Sequence, residues 1–437
     1  MNKKVFLDTL GCPKNFDDSD YIRALLDGEG YDFVESPEEA DVVIVNTCGF
    51  IEDAKKESIE HIFDAANKKT DDAKLIVTGC LAQRYAKELF EEIPETDVLL
   101  GVNDYDKLPE YLDESKERKV AASTCDLDYL EKRVRKFEDT PYSATLRIGE
   151  GCNRKCAYCI IPEIRGKYRS KKMEDVISEA EELAAQGCKE LILIAQDVTY
   201  YGVDLYGKES LPELLKKLCR VDGIRWIRLM YCYDDRITDE LIRVMAEEEK
   251  ICHYIDIPLQ HGSDKILKAM RRRSDRAAID DVINRLRTAI PDICIRTTLI
   301  VGFPGETEEV FDQLIDMVET HRFGRLGAFK YSREEGTEAF DMPNQVDEET
   351  KEHRLESVMI RQIDISLENN KALIGTVLEV LVEGRDEDGS YIGRSRYDAP
   401  EIDNGVLFTS DKEHKAGDMV MVRIVDAFDY DLVGEAI

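Results

Sequence analysis

No apolar run in the sequence approaches the roughly 18 residues needed to cross a bilayer, so a membrane protein is not expected. The opening, MNKKVFLDTLG, has the pattern of a strand and lacks that of a secretory signal. Glycine (26) and proline (12) are modest in number while 43% of residues are hydrophobic, which excludes collagenous and disordered classes. Histidine is scarce at six, and none pairs with a nearby cysteine in a nucleophile-base pattern. Basic residues are also in deficit: 60 Lys+Arg stand against 92 Asp+Glu, a formal net charge of -32. A polyanionic surface repels phosphate backbones, because non-specific nucleic-acid affinity depends on basic residues displacing counterions. Either the acidity serves solubility alone, or it marks a basic partner, which fits better than RNA; RNA is not expected as the main binding mode. A length of 437 residues predicts two to four domains and excludes a disulfide-stapled miniprotein. Twelve cysteines without a secretory signal read as reduced thiols in a cytoplasmic protein, used as core residues or metal ligands.

The pattern along the chain is α/β followed by all-β. Apolar runs at 5–7, 42–45 and 75–77 read as buried strands of a parallel sheet, with helices at 19–28, 52–66 and 83–92 between them. That is a doubly wound N-terminal domain, 1–112. A charged, aperiodic stretch makes 113–140 a linker. Six strand-helix units then fill 141–346, with strands near 144–148, 190–195, 226–230, 254–257, 293–300 and 327–331. Six are too few for a closed eightfold barrel, so a partial (β/α)6 barrel is expected, with its functional loops at the strand C-termini. A charged helical connector, 347–370, leads into a tail, 371–437, whose short strands between Gly, Asp and Asn turns predict a small antiparallel OB-like β-barrel.

The strongest chemical signal is Gly151-Cys152-Asn153-Arg154-Lys155-Cys156-Ala157-Tyr158-Cys159, directly after the first barrel strand. Three thiolates at this spacing can hold three irons of a cubane while the fourth stays open to a ligand. A closed structural zinc site wants four ligands, and no fourth Cys or His lies nearby in the sequence. A second signal is positional: Cys12, Cys48 and Cys80 each fall just past one of the three N-terminal strands. Parallel strands end on one sheet edge, where open α/β folds bind ligands. Those cysteines are either three buried core residues or the ligands of a second cluster. The remaining six, Cys125, Cys188, Cys219, Cys232, Cys252 and Cys294, read as core or incidental, with Cys232 alone placed at a strand end by the barrel mouth.

The Cys152–Cys159 spacing, with aromatic Tyr158 before the last cysteine, resembles the radical S-adenosylmethionine superfamily. Two three-cysteine sets on one chain, followed by a β-barrel tail, resemble the methylthiotransferases. The segments LGCPKN at 10–15, NTCGFI at 46–51, TGCLAQRY at 78–85, IVGFPGET at 300–307 and RSRYDAPE at 394–401 are similar to the RimO type over essentially the whole chain. The resemblance implies an N-terminal methylthiotransferase domain, a radical barrel and a C-terminal TRAM domain. It implies methylthiolation of an aspartate β-carbon in small-subunit ribosomal protein number twelve, free or on the ribosome. It further implies two [4Fe-4S] clusters, on Cys152, Cys156 and Cys159 and on Cys12, Cys48 and Cys80, two S-adenosylmethionine molecules, and an electron donor such as flavodoxin or ferredoxin.

Tyr158 within the cysteine motif, and Gln196, Asp197, Gln260, Arg296 and Gly302 at or near strand ends, are the candidate S-adenosylmethionine contacts. Ala195-Gln196-Asp197 stands where many superfamily members have Gly-Gly-Glu, and Thr298 stands where a glycine is usual. Arg271, Arg272 and Arg273 either meet an acidic group or line a solvated helix face, and His261 reads as a hydrogen-bonded barrel residue. Two alternatives share parts of this pattern: a transfer-RNA adenosine methylthiotransferase, and a non-catalytic zinc protein that binds nucleic acid. The tail separates the first, since Lys371 to Ile437 carries 7 Lys+Arg and 15 Asp+Glu, whereas an RNA-binding barrel should be basic.

Overall fold

The computed structural model describes residues 3–112, 117–125, 128–138 and 141–437. Met1 and Asn2, and positions 113–116, 126–127 and 139–140 of the expected linker, lie outside the described residues. The chain divides into two compact units, the first formed by Met1–Asp139, Gly149–Lys172 and Ser332–Phe340, the second by Thr140–Ile148, Met173–Tyr331 and Asp341–Ile437.

The first unit is built on a parallel sheet of β1 (Lys4–Thr9), β2 (Asp32–Phe33), β3 (Val42–Thr47), β4 (Lys74–Gly79), β5 (Val98–Leu100) and β6 (Lys119–Ala121). Its order is β2-β1-β3-β4-β5-β6, so the winding reverses between β1 and β3. β3 is buried at every position, as a strand covered on both faces must be. Val42, Ile44 and Ile76 pack on one face with Ile22 and Leu26. Val43, Val45, Leu75 and Val77 pack on the other with Ile62 and Ala65. Each such full burial contributes roughly 1.5–3 kcal/mol.

Three strands here were not expected: two are short, and Lys119–Ala121 is a half-exposed edge strand inside the charged stretch read as linker. The first helix starts at Pro13, six residues earlier than expected, because proline at the first helical position is preset for the turn. The 83–92 helix is two, Cys80–Arg84 and Ala86–Glu92, broken at Tyr85.

In the second unit β7 (Ser143–Arg147) starts another parallel sheet; β8 (Gly149–Glu150) and β9 (Arg169–Ser170) form a separate two-stranded ribbon in the first unit. The sheet continues through β10 (Glu190–Ile194), β11 (Trp226–Leu229), β12 (Ile251–Gln260), β13 (Cys294–Val301) and β14 (Arg325–Lys330). Every strand pairs in parallel with the next in this series, which is the expected partial (β/α)6 barrel.

After a helix at Glu348–Lys371 the tail closes as a five-stranded barrel of β15 (Val377–Arg385), β16 (Tyr391–Ser395), β17 (Val406–Thr409), β18 (Met419–Ala427) and β19 (Leu432–Ala436), in the order β15-β16-β17-β19-β18. One pair departs from the expected antiparallel pattern: β19 runs parallel to β17 and so closes the barrel. The tail packs against the N-terminal half of the second sheet. Arg394 pairs with Glu190 at 2.5 Å, Arg325 with Asp398 at 2.5 Å and Arg296 with Asp403 at 3.3 Å, while Leu381 and Ala399 join Trp226, Tyr254 and Cys294 in one core. The RSRYDAPE segment is thus an anchor at the stability end of the barrel, leaving the strand C-termini to other work.

Candidate cluster sites and cofactor edge

The three strands that precede Cys12, Cys48 and Cys80 end side by side at the reversal of the first sheet. Burial and close packing shape each loop there. Gly11 adopts φ +95° and a Cβ on it would lie 2.8 Å from Cys48 Cβ; a Cβ on Gly49 would lie 2.7 Å from the Leu81 Cα. Only glycine lets these loops approach so closely. Ser58 clamps Cys48 by accepting from its backbone N–H at 3.0 Å and donating to its carbonyl at 2.9 Å. Asn15 ties the ends of β1 and β3 together, donating to the Leu10 carbonyl at 2.8 Å and the Thr47 carbonyl at 3.0 Å.

The thiols of this set sense one another. Burial pushes the Cys48 thiol up to about 12, and the neighbouring Cys80 and Cys12 add to the rise. Cys80 is raised mainly by burial too, opposed by Arg165. The second set behaves alike: burial raises Cys159, with Cys156 and Cys152 as neighbours. Its loop is held by Cys152 N–H donating to the Gly166 carbonyl at 3.0 Å and by Gly151, φ +79°, whose Cβ would sit 2.2 Å from the Lys167 carbonyl oxygen. The Ala339 N–H donates to the Ala157 carbonyl at 2.8 Å, so the 332–340 segment braces the same loop.

Both sets therefore lie in the first compact unit. Among the described residues no three His, Cys, Asp or Glu side chains converge on a single ion position. Sulfur donors alone, three to a set, on closely packed strand-end and loop backbone suit a polynuclear iron-sulfur group, which takes soft thiolate ligands. Sequence reasoning missed Arg165 and Glu150 and gave Asn15 only as part of the 10–15 segment; Arg165 contacts Cys80, Asn15 and Glu150. Nothing in their spacing marks them, because they come together only through the fold.

At the C-terminal edge of the second sheet three consecutive strands end in left-handed backbone: Tyr231 (φ 55°) after β11, Gln260 (φ 72°) on β12 and Gly302 (φ 74°) after β13. Non-glycine residues there cost of order 1–3 kcal/mol and gather at functional sites. Asp197 is buried and accepts from Thr199 Oγ1 at 2.6 Å, beside Gln196 in the loop after β10. His261 accepts from the Ser263 N–H on Nδ1 at 2.9 Å, which leaves Nε2–H to donate to Glu306 at 3.1 Å. Glu306 in turn accepts from the Gly302 N–H at 3.0 Å and from Arg354 at 2.9 Å, so His261 is a hydrogen-bonded barrel residue that fixes the Gly302 turn.

Arg296 lies further down the sheet, engaged by Asp256 at 3.0 Å and Asp403 at 3.3 Å. A Cβ at Gly302 would meet Lys351 Cγ at 2.3 Å, a packing demand apart from any ligand. Tyr158 is half-buried within its loop. Arg272 meets Asp234 at 2.9 Å and stacks on Tyr233. Cys232 is fully buried, and burial holds its thiol protonated.

The three-cysteine loop after the first strand of a partial parallel barrel lies within a match to the radical SAM superfamily, so the chain is a radical S-adenosylmethionine enzyme, with a second set of three cysteines in its first compact unit. The radical SAM superfamily profile matches 146–318, uncharacterized protein family UPF0004 matches 4–101 and the TRAM domain matches 374–437. Proteins named ribosomal protein uS12 methylthiotransferase RimO are similar over full length: 50% identical in Clostridioides difficile (strain 630), covering 99% of each chain, and 50% in Thermoanaerobacter sp. (strain X514), covering 99% of this chain and 100% of that one. The chain belongs to the RimO family of methylthiotransferases. Superfamily membership implies S-adenosylmethionine and a [4Fe-4S] cluster. Among solved structures the radical S-adenosylmethionine methyltransferase TsrM from Kitasatospora setae shares the fold, with a TM-score of 0.56 at 14% identity over 87% of this chain and 81% of that one.

Proposed function

We propose that this chain methylthiolates the β-carbon of an aspartate in ribosomal protein uS12, using two [4Fe-4S] clusters and two S-adenosylmethionine molecules. The observation that carries the reading is the pair of three-thiol sets in one compact unit, with Arg165, six residues after Cys159, donating to Cys80 Sγ. Cys152, Cys156 and Cys159 would hold one cluster; Cys12, Cys48 and Cys80 would hold the auxiliary one. When bound, the first supplies the electron that cleaves S-adenosylmethionine to a carbon radical, and the second supplies a site for the sulfur to be inserted.

The chain's own residues bind and orient. Opening an unactivated C–H bond beside a carboxylate is beyond an ordinary side-chain base, so no histidine is required to move a proton, and His261 acts only through Glu306 on the Gly302 turn. Tyr158, Gln196, Asp197, Gln260, Arg296 and Gly302 are the proposed S-adenosylmethionine contacts, Arg296 being paired with Asp256 at 3.0 Å. The acidic tail favours a basic protein substrate over RNA. The reading includes a cytoplasmic location, uS12 free or on the ribosome, and a flavodoxin- or ferredoxin-type electron donor. The domain limits proposed are 1–112, 141–346 and 371–437, with 347–370 and 113–140 connecting them, the latter also lending β6 to the first sheet.

The test is anaerobic reconstitution with iron and sulfide, followed by separate incubation with uS12 and with bulk transfer RNA under reducing conditions with S-adenosylmethionine. One methylthio group gained by uS12 is expected. A gain on RNA alone overturns the substrate assignment, and two bound zinc ions with no visible absorbance overturn the chemistry.

A further inference from the structure

Arg165 ends the short helix Ile161–Arg165 that begins two residues after Cys159, yet its guanidinium reaches the other cysteine set. It is 3% exposed. One terminal nitrogen, Nη2, donates to Cys80 Sγ at 3.1 Å and to Asn15 Oδ1 at 2.8 Å. The other, Nη1, pairs with Asp18 at 2.9 Å and lies 3.6 Å from Glu150, the residue two before Cys152. Asp18 is itself held, accepting from the Tyr105 hydroxyl at 3.2 Å and facing Arg133 at 3.6 Å. Two carboxylates, one from the helix after Cys12 and one from the strand before Cys152, thus fix the planar fork so that one arm points at a sulfur. An arginine cannot give up its charge here and has a rigid donor geometry, so the contact is a permanent cation on one ligand atom.

We infer that Arg165 is a positioning residue for the auxiliary cluster: its N–H bond to the Cys80 sulfur raises that cluster's reduction potential, while its two carboxylate partners keep the two cysteine sets in register. The inference rests on the two-cluster reading above. The physical cause is general, because a hydrogen bond or positive charge on a ligating sulfur withdraws electron density and stabilises the reduced, more negative cluster. Asn15 belongs to the same device, since it both accepts from Arg165 and stitches the strand ends that carry Cys12 and Cys48. Lysine cannot replace Arg165, because one ammonium cannot serve Cys80, Asn15, Asp18 and Glu150 together.

The experiment uses the full chain with Cys152, Cys156 and Cys159 all changed to alanine, so that only the auxiliary cluster loads and its midpoint is read alone. In that background Arg165→Met is expected to keep the iron and sulfide content of the parent and to shift the midpoint to more negative potential. Arg165→Gln, which removes the charge but keeps a neutral amide, should shift it less in the same direction. An unchanged midpoint in Arg165→Met with unchanged iron overturns the inference. If Arg165→Met loads no iron, Arg165→Gln decides: a negative shift supports the role and an unchanged or positive midpoint overturns it. If the parent itself binds no iron, the two-cluster reading fails first, which is a different result from a loaded cluster with an unmoved potential.

Discussion

Glu190 offers a direct test of how the tail is fastened to the barrel. It is fully buried at the start of β10, with Arg228 Nε at 2.8 Å, Arg394 Nη2 at 2.5 Å and Ser143 Oγ at 2.8 Å. Burial alone would raise its carboxyl; Arg394 and Arg228 overcome that and hold it at about 2, against an ordinary 4.5. At 1.36 kcal/mol per tenfold change the depression corresponds to about 3 kcal/mol of stability. Breaking a buried pair by mutation costs roughly 3–5 kcal/mol, the same range by a separate route. Glu190→Gln keeps the shape but leaves two buried guanidinium groups facing an uncharged amide, so a loss of about 3 kcal/mol is expected at pH 7. The sign follows from the lowered folded value: the contribution is complete above pH 4.5 and disappears as pH falls towards 2. The gap between wild type and variant should therefore close across that window. The chain's one tryptophan supplies the assay, because Trp226 is buried under the tail and donates to Glu379 at 3.1 Å. Urea unfolding followed by its fluorescence reads this interface. An equal midpoint for the two proteins at pH 7, or an undiminished gap at pH 3, would refute the reasoning.

Cys152→Ala should abolish S-adenosylmethionine cleavage, whereas Cys48→Ala should spare cleavage and lose thiolation; equal loss of cleavage in both would show that the two sets do not divide the work. Gly151→Val drives a side chain into the Lys167 carbonyl and strains a left-handed φ, at a cost of order 1–3 kcal/mol, so iron bound after reconstitution should fall by about half as the 152–159 set empties. Undiminished iron would count against that packing role. His261→Ala removes the donor to Glu306 and frees the Gly302 turn, which should weaken S-adenosylmethionine binding severalfold in equilibrium dialysis while leaving iron content unchanged; unaltered affinity would place the turn outside the cofactor site.

Pattern made the strand-helix frame legible, since a buried parallel strand such as Val42–Thr47 is a short, β-branched apolar run, and its length and composition argue against a helix. It failed at short or half-exposed strands. Lys119–Ala121 lies among charges, and its pairing with β5 is a tertiary fact that no local pattern carries. The parallel pairing of β19 with β17 was illegible for a related reason: Leu432–Ala436 is short and follows a turn rich in Asp, and β18 lies between the two in sequence. The cysteines could be read because each follows a strand. Arg165 could not, because a single arginine in Ile161–Arg165 looks like any helix-end cation until Asp18 and Asn15 arrive from elsewhere in the chain.

The structure also sharpens what the acidic tail means. Two of its few cations face inward: Arg394 is spent on Glu190 and Glu383, and Arg396 donates to the carbonyls of Glu249 and Ile251. Acids are withdrawn as well, since Glu379, Glu383, Asp398 and Asp403 pair with Arg225, Arg394, Arg325 and Arg296. Removing both groups still leaves the tail with more acid than base. What it offers solvent is thus net negative after these pairings are discounted, with apolar Met421, Val425 and Phe428 exposed among the charges. Counterion release cannot drive a polyanion onto such a face, whereas a basic protein gains from both the charge and the apolar patches. The distinction between two substrates of the same chemistry then rests on the solvent-facing residues of the tail rather than on its fold, which an RNA-binding barrel would share.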